Sequence, residues 1–406
     1  MEPCGFKKTV SSTLAGISLG IINFDHAAGN PVDKRVIESM LPYLTERFGN
    51  PSSIYSSARS AYNAMEEARG KVAELVGAKP EEVIFTSGAT ESINLALKGF
   101  AYRNRSRGNH IITTEIEHIS VLTVCKHLSK QGFKITYAPV DKYGLLKPEN
   151  VEKLITDETI LISVQYANGE IGTIEPVQAL GRIAHDHGIA LHADGVAAAG
   201  KVPIDVRKEE IDLMTLSSND LYGPKGMGAL YVREGVKVEP IIHGGGQERG
   251  LRSGTENIPG IVGLGKAAEI ARCEMNIHSC RMVQIRDRLI AGLTAKIEDC
   301  FLNGHPTIRL PDNANVRLSY VEGESLLLNL DMIGIQAATG SACTSKTLEP
   351  SHVLLALGIS PVDAQGSLSL TLGRENTMEE AEFLIRELPA VVERLRAMSP
   401  LAPKKV

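Results

Sequence analysis

The 406-residue chain contains six cysteines but no CxxC pair and no zinc-ligand spacing. Such scattered cysteines argue against a disulfide framework and predict a reducing compartment, the cytoplasm. The formal net charge of -5 gives no reason to expect nucleic acid or an acidic membrane surface as a partner. The composition therefore predicts a cytoplasmic globular protein with neither class of partner.

A long hydrophobic run is also missing. The longest apolar-leaning stretch, residues 14–24, is interrupted by glycine and serine and is too short to span a bilayer. Residues 1–20 lack the uninterrupted apolar region of a signal peptide, so we interpret them as an extra N-terminal arm. Because the chain exceeds one compact core, we predict a large domain over 22–270 and a small domain over 271–406, with the arm 1–21.

The apolar segments that are present are short and alternate as strands and helices from residue 83 to residue 232. Such alternation predicts an α/β fold with a mostly parallel sheet and helices on both faces. Ligands bind at the carboxyl ends of such strands, where this chain places Glu117-His118, Asn168 and Asp194. Taken singly, these could be a surface histidine, a turn former and a helix cap. Their common placement makes them a candidate site.

One strand exit has the features of an anion site. The strand Val83–Thr86 leads through the small residues 87–90 into a helix predicted from Glu91 and capped by Thr90 or Ser87. The first turn of a helix offers unpaired N–H groups and the positive end of the helix dipole. The stretch is neither a Walker loop nor a GxGxxG motif, which disfavours nucleoside triphosphates and dinucleotides. It predicts a site for a single phosphate.

A second polar exit follows the apolar run 212–216, where Ser217, Ser218 and Asn219 lead into a glycine- and proline-containing turn. Taken alone, this could be an ordinary polar turn between two strands. Further along, the glycine-rich segment 244–257 carries two arginines and predicts either an interface loop that touches an anion or a flexible linker.

Two features of the predicted small domain suggest reactivity. Cys343 lies in a run of small polar residues, 338–346, which predicts an exposed loop with a reactive rather than structural thiol. Arg374 follows the predicted strand 368–372 and is suited to binding a small carboxylate; the alternative is a surface arginine.

Together these stretches resemble the cysteine desulfurases of iron–sulfur cluster assembly, members of the class V aminotransferase family with fold type I. The resemblance runs from about Phe24 to Pro400. It is carried by FGNPSS at Phe48, FTSGATES at Phe85, TEIEH at Thr114, NGEIG at Asn168, YGPKGMGALYV at Tyr222, GGGQERGLRSGTEN at Gly244, TGSACTS at Thr339 and LGR at Leu372. It implies a seven-stranded type of sheet in the large domain and a small α/β C-terminal domain.

The resemblance also implies a homodimer that holds pyridoxal 5′-phosphate, uses L-cysteine and delivers sulfur to a scaffold protein. The resemblance implies phosphate binding by Ala89, Thr90 and Ser217, with Asn219 beside them and Thr255 reaching in from the other subunit. It implies ring contacts by His118, Asp194 and Asn168, and carboxylate binding by Arg374 with Asn168 near the substrate. The implied catalytic residues are Cys343, which attacks the substrate sulfur, and His118.

The chain departs from its family at the residue that matters most for the cofactor. The family reads Ser-x-His-Lys before Tyr-Gly-Pro-Lys-Gly, and the first lysine forms the internal aldimine. Here these two places are Asn219 and Asp220, as in an archaeal-like branch that lacks the lysine, whereas Lys225 matches the second family lysine. Ala197 and Tyr55 likewise replace a family glutamine and histidine. The cofactor is therefore expected to be held non-covalently, with Asp220 as a candidate water-bridged base.

Three functions remain open from the sequence. The first is a slow or modified desulfurase that moves sulfur from L-cysteine to Cys343 as a persulfide and releases L-alanine. The second is a catalytically impaired homologue that binds a scaffold and supplies Cys343 as a ligand to a [2Fe–2S] cluster, since thiolates bind iron–sulfur centres well. The third is a binder of a phosphate-containing ligand that has kept only the fold.

Restoring the lysine tests the departure directly. We expect Asp220→Lys to bind the cofactor covalently, to become coloured and to release sulfide faster than the unaltered chain, because an amine returns at the aldimine position. Absorbance of the purified protein and sulfide release from L-cysteine measure the two effects. A colourless, inactive variant would mean that the pocket differs from the family by more than this residue.

Overall fold

The computed structural model describes residues 12–14, 17–340 and 350–402. It divides into a larger unit, formed by residues 29–280 and 304–311, and a smaller unit drawn from residues 1–28, 281–303 and 312–406. The division at Arg281 falls inside one long helix rather than between residues 270 and 271, where the sequence places its domain boundary. Residues 304–311 belong to the larger unit although residues 281–303 before them belong to the smaller one, so no single boundary separates the two units.

The helices and strands alternate through most of the chain. The strands are β1 (Ser12–Leu14), β2 (Ile17–Leu19), β3 (Ile22–Asn23), β4 (Val83–Thr86), β5 (His110–Thr114), β6 (Lys134–Ala138), β7 (Thr159–Gln165), β8 (Ala190–Asp194), β9 (Leu213–Ser217), β10 (Gly228–Val232), β11 (Cys300–Leu302), β12 (Asn313–Leu318), β13 (Ile335–Gln336) and β14 (Ser367–Thr371). The helices are α1 (Lys34–Thr45), α2 (Ser56–Val76), α3 (Ala89–Asn94), α4 (Phe100–Asn104), α5 (Ile119–Lys130), α6 (Pro148–Glu152), α7 (Val177–Asp186), α8 (Ile258–Lys296), α9 (Gly323–Met332), α10 (His352–Ala356), α11 (Pro361–Gln365) and α12 (Met378–Met398).

The larger unit is built on a seven-stranded sheet in the order β4-β10-β9-β8-β7-β5-β6. Strands β5 to β9 pair in parallel, whereas β10 is antiparallel to both of its neighbours, β4 and β9. Strand β4 therefore points the same way as the parallel strands, and β10 alone is reversed. The predicted mostly parallel α/β sheet is confirmed.

Both faces of this sheet are buried, as its sequence pattern requires. Successive residues of a strand point to opposite faces, so Ile84 and Phe85 of β4 enter two different hydrophobic cores. Helices α2 and α7 and the first part of α8 cover one face, and α3, α4 and α5 cover the other. Apolar runs such as residues 159–165 are fully buried for this reason.

The smaller unit contains an antiparallel sheet in the order β11-β12-β14 and a parallel pair of β3 with β13. Its core joins these strands to α9, α12 and the last part of α8. Helix α12 begins at a capping box in which the Thr377 hydroxyl accepts from the Glu380 N–H and the Glu380 carboxylate accepts from the Thr377 N–H. The predicted small α/β domain with antiparallel strands is thus present.

The glycine-rich segment 244–257 is anchored to the larger unit by a buried ion pair. The Arg69 guanidinium donates two hydrogen bonds to the Glu248 carboxylate, at 2.7 and 2.8 Å, and both side chains are 3 % exposed. The same carboxylate accepts from the Phe85 N–H, and Arg249 donates to the Val83 carbonyl. These contacts fix the segment against β4, which argues against a flexible linker.

Across the described ranges, no helix is both long and apolar enough to cross a membrane.

Candidate active site

The polar residues predicted from the sequence lie at one edge of the larger unit's sheet. The strands that share one direction end at Thr86, Thr114, Gln165, Asp194 and Ser217. Because parallel strands carry their carboxyl ends to the same edge, the residues that follow them are brought together although they lie far apart in sequence. This edge is the candidate active site.

The strand, turn and helix over residues 83–94, called the anion cradle below, are present as predicted. The cap of the helix differs from the prediction. Gly88, with φ 146°, occupies the N-cap position of α3, and no side chain caps the helix, so the expectation of Thr90 or Ser87 as cap is wrong. Instead, the Ser87 N–H donates to the carboxylate of Glu91 at 2.8 Å. Ala89 and Thr90 form the first turn of the helix, so their N–H groups are not used within it.

Ser217 lies beside this cradle because β10 brings the two strand ends together. Gly228 of β10 pairs with both Thr86 and Ser217. A Cβ on Gly228 would stand 2.7 Å from the Gly88 backbone, so only glycine permits this close approach. The next hydroxyl, Ser218, instead faces Gly223, where a Cβ would be 2.3 Å away. Of the two adjacent hydroxyls, Ser217 is therefore the one to assign to the cradle.

His118 stands at the start of α5 in one defined tautomer. It is the N-cap residue, and its Nδ1 accepts a hydrogen bond from the Ser120 N–H at 3.2 Å. An accepting Nδ1 carries no proton, so a neutral His118 has its proton on Nε2. The Ser120 hydroxyl lies 3.4 Å from the hydroxyl of Thr90, which links this turn to the cradle. His118 is thus arranged as a hydrogen-bond donor or stacking group.

Asn168 is buried and its amide is fully engaged within the protein. Its Nδ2 donates to the Ile116 carbonyl at 3.0 Å and to the Gln165 side-chain oxygen at 3.2 Å. Its Oδ1 accepts from the N–H groups of Glu170, at 2.9 Å, and Ile171, at 2.8 Å. Two donors and two acceptor positions are therefore in use, and a ligand contact would have to replace one of these bonds.

Asp194 is a buried carboxyl group at the end of β8. Burial raises its pKa to about 6, the Val196 N–H partly opposes this rise, and the charge of Asp220 adds to it. The last effect shows that Asp220 lies within electrostatic range of Asp194. Two carboxyl groups thus share this part of the edge, and Asp194 gains from any positively charged or proton-donating ligand group.

Asn219 and Lys225 are both hydrogen-bonded to Asn30, which lies in the loop before α1. The Asn219 Oδ1 accepts from the Asn30 N–H at 3.4 Å, and the Asn30 side chain donates to the Asn219 carbonyl at 3.2 Å. The Lys225 ammonium donates to the Asn30 carbonyl at 2.8 Å. Lys225 is therefore engaged with backbone in an exposed turn.

Thr255 is exposed and lies in the glycine-rich segment. Arg252, three residues earlier, contacts α3, the helix of the cradle. Arg252 donates to both carboxylate oxygens of Glu91, at 2.9 and 3.4 Å, which holds the pKa of Glu91 below its ordinary value despite burial. The segment that carries Thr255 is therefore fixed next to its own subunit's cradle.

Arg374 is half-buried in the smaller unit, in the turn after β14, where the ring of His26 packs against Gly373. Cys343 lies outside the described residues. Within the described ranges, no group of three or more His, Cys, Asp or Glu side chains could hold a metal ion.

Comparison with known proteins assigns the family. Residues 22–384 match the model of the family described as aminotransferase class-V. The chain belongs to the class-V aminotransferase family. It is 56 % identical to cysteine desulfurase IscS 1 of Archaeoglobus fulgidus, over 93 % of this chain and 98 % of that protein. It is 53 % identical to cysteine desulfurase IscS of Methanosarcina thermophila, over 95 % of each. A solved structure titled NifS-like protein matches with a TM-score of 0.86 at 40 % identity, over 92 % of this chain and all of that one.

Membership of the class-V aminotransferases implies pyridoxal 5′-phosphate, and the edge of the sheet fits this cofactor. Ala89 and Thr90 in the first turn of α3 and Ser217 at the end of β9 would suit its phosphate, and the close approach of Gly228 to the Gly88 backbone brings these two segments together. The buried Asp194 suits a ring nitrogen that carries a proton. The donor types and their burial thus match the two polar ends of the cofactor.

Some residues of the site are visible only in the structure. Ser120 sets the tautomer of His118, and Glu91 with Arg252 connects the cradle helix to the glycine-rich segment. A serine two residues after an N-cap and a glutamate in a first helical turn are weak signals, because both are common at helix starts for local reasons alone.

The raised pKa of Asp194 predicts that its ionisation lowers the folding stability of the cofactor-free protein as the pH rises. A carboxyl whose pKa is higher in the folded state than in the unfolded state favours folding at low pH, and this contribution is lost as the pH rises through about 6. We expect Asp194→Asn to raise the free energy of unfolding by about 2 kcal/mol at pH 8 and to have little effect at pH 4.

Urea unfolding at the two pH values measures this difference. Asp205→Asn is the matched control of opposite sign, because Lys208 holds the pKa of Asp205 below its ordinary value and its loss should destabilise at pH 8. Equal stability of Asp194→Asn and the unaltered protein at pH 8 would contradict the expected cost.

Proposed function

We propose that the chain is a cysteine desulfurase of iron–sulfur cluster assembly. The observation that carries this proposal is a buried carboxyl, Asp194, placed at the same sheet edge as an anion cradle, in a chain 56 % identical to a protein named cysteine desulfurase. L-cysteine gives up its sulfur to the Cys343 thiol, which becomes a persulfide, and L-alanine is released. The persulfide sulfur then passes to a scaffold protein. The scattered cysteines support a cytoplasmic location.

The larger unit's own residues hold and orient the cofactor. Ala89, Thr90 and Ser217 bind the phosphate, with Asn219 beside them, since neutral donors at a helix start accept an anion without proton transfer. Asp194 pairs with the ring nitrogen and keeps it protonated. When bound, the cofactor withdraws electrons from the bonds of the attached amino acid.

His118 lies against the ring with its proton on Nε2, because Nδ1 is occupied by the Ser120 N–H. It therefore donates a hydrogen bond from Nε2 and does not act as the base while this contact lasts. Asp220 is then the candidate base, through a bridging water. Since no lysine stands at this position, the cofactor is held non-covalently, by the phosphate and ring contacts.

Arg374 binds the carboxylate of L-cysteine, and Asn168 keeps the neighbouring loop in place. The Cys343 thiolate attacks the substrate sulfur, the bond between that sulfur and the substrate Cβ breaks, and a sulfur–sulfur bond forms on the enzyme. Protons complete the alanine product, so no external oxidant or reductant is needed.

The second candidate, a non-catalytic partner in which Cys343 binds a [2Fe–2S] cluster with a scaffold, rests on the replacement of the lysine by Asp220. The comparisons favour the desulfurase, because the matched relatives are named cysteine desulfurase and the match covers almost their whole length. Both functions use the same thiol, so an assay must separate them.

The larger unit also presents an apolar surface suited to a second copy of the chain. Ile37, Leu41 and Leu44 share one face of α1 and are 43 %, 54 % and 57 % exposed. Phe48 and Ile54, which follow α1, are more exposed still. A contiguous apolar surface of this kind is typical of a stable interface. We infer a homodimer, in which the exposed Thr255 contributes to the partner subunit's phosphate site.

Sulfide release tests the desulfurase. With L-cysteine, dithiothreitol and added pyridoxal 5′-phosphate, we expect turnover by the unaltered protein and a loss of at least about 100-fold in Cys343→Ala, because the sulfur acceptor is removed. Cys280→Ala, which removes an exposed thiol elsewhere in the chain, should keep full activity. Absence of turnover in the unaltered protein with cofactor bound would favour the cluster-ligand function.

Sedimentation equilibrium tests the dimer. We expect the unaltered chain to sediment as a dimer and Leu41→Asp to shift towards monomer, because burying an unpaired carboxylate opposes association. Leu328→Asp is the matched control: Leu328 is 68 % exposed, more than Leu41, but belongs to the smaller unit, so its replacement should leave the dimer intact. A monomeric unaltered chain would contradict the inferred assembly.

A further inference from the structure

Glu117, the residue before His118, is a buried carboxyl that the proposed function does not use. It is 0 % exposed, although glutamate is rarely buried without a specific reason. It lies in the short turn between β5 and α5, next to the candidate site edge. A buried ionisable group so close to the residues that face the cofactor is a candidate for a role of its own.

Its hydrogen bonds join two strand ends. The Thr114 hydroxyl donates to the Glu117 Oε1 at 2.7 Å, and the backbone N–H of Gln165 donates to the same carboxyl group. Thr114 ends β5 and Gln165 ends β7, so the glutamate spans neighbouring parallel strands at the edge where they stop.

The same two strand ends are joined a second time by Asn168. Its amide donates to the carbonyl of Ile116, the residue before Glu117, and to the side chain of Gln165. Glu117 and Asn168 therefore form one connected network between the turn that carries His118 and the loop after β7. Buried hydrogen bonds of this kind hold the two segments in one relative position.

The charged and titratable groups that face Glu117 come from three other segments. Asp194 at the end of β8 and Glu175 before α7 are carboxyls, and Cys125 of α5 is a buried thiol. Burial, followed by the two neighbouring carboxyls, holds the pKa of Glu117 well above its ordinary value, against the two hydrogen bonds that it accepts. Burial likewise raises the pKa of Glu175 to about 8 and that of Cys125 to about 12.

We propose that Glu117 is a positioning residue of the cofactor site: its carboxyl group, hydrogen-bonded at the ends of β5 and β7, ties the turn of His118 to the end of β7. The inference rests on the proposed function for its consequence, which is the placement of His118 over the ring.

The test compares an isosteric with a truncated variant. Glu117→Gln keeps the size and an oxygen that can accept the same hydrogen bonds, so its dissociation constant for pyridoxal 5′-phosphate at pH 7.5 should stay within about threefold of the unaltered protein. Glu117→Ala removes the link between the strands and should weaken that binding by about tenfold or more. Inorganic phosphate, which needs only the cradle, should bind all three proteins equally. Glu115→Gln and Glu115→Ala, in the same turn but exposed, should change nothing.

The outcomes separate the alternatives. Equal weakening in Glu117→Gln and Glu117→Ala would show that a carboxylate charge is required, and unchanged binding in Glu117→Ala would show that no positioning occurs; either result overturns the proposal. If the alanine variant does not fold, Thr114→Val decides, because it removes the 2.7 Å bond to Glu117 Oε1 at nearly the same side-chain volume. Weaker cofactor binding with phosphate binding kept supports the proposal, and unchanged cofactor binding overturns it. Failure of the unaltered protein to bind the cofactor would instead contradict the proposed function.

Discussion

Carboxyl and amide groups at the ends of buried strands have lost their water, and neighbouring protein groups must replace it. This constraint organises the edge of the larger unit's sheet. Asn168 meets it with four hydrogen bonds, and Glu117 meets it with bonds from two strand ends. Asp194 accepts from the Val196 N–H, and burial still raises its pKa to about 6. A ring nitrogen that carries a proton would lower the cost of ionising this carboxyl.

At the same edge, buried contacts hold the backbone in place while several candidate site residues stay exposed. Glycine positions such as Gly88 and Gly228 allow backbone segments to approach within van der Waals contact, which leaves N–H groups at the start of α3 facing outward. The Arg69–Glu248 pair is buried well below the surface and holds the glycine-rich segment against β4. Rigid backbone on both sides thus presents Thr90, His118 and Thr255, all of which remain exposed.

Asp220 contributes to the electrostatics of this edge. Its charge lies within range of Asp194 and adds to the effect of burial, which raises the pKa of that carboxyl to about 6. Two further buried carboxyls, Glu117 and Glu175, lie close by. A ligand group that is positively charged or donates a proton would therefore bind favourably beside Asp194.

The amino-acid sequence alone determined the alternation of strands and helices, because apolar periodicity and turn residues are local signals. This alternation also identified the strand ends that are followed by polar residues. It also placed Glu117 next to His118 without indicating what Glu117 does. The tertiary structure decided the cap of α3, which is Gly88 rather than Ser87 or Thr90, and the engagement of Asn168, of Lys225 and of Glu117. These depend on residues that lie far apart in sequence and meet only when parallel strands align. Hydrogen-bond partners and buried charges are properties of that alignment, which no local pattern contains.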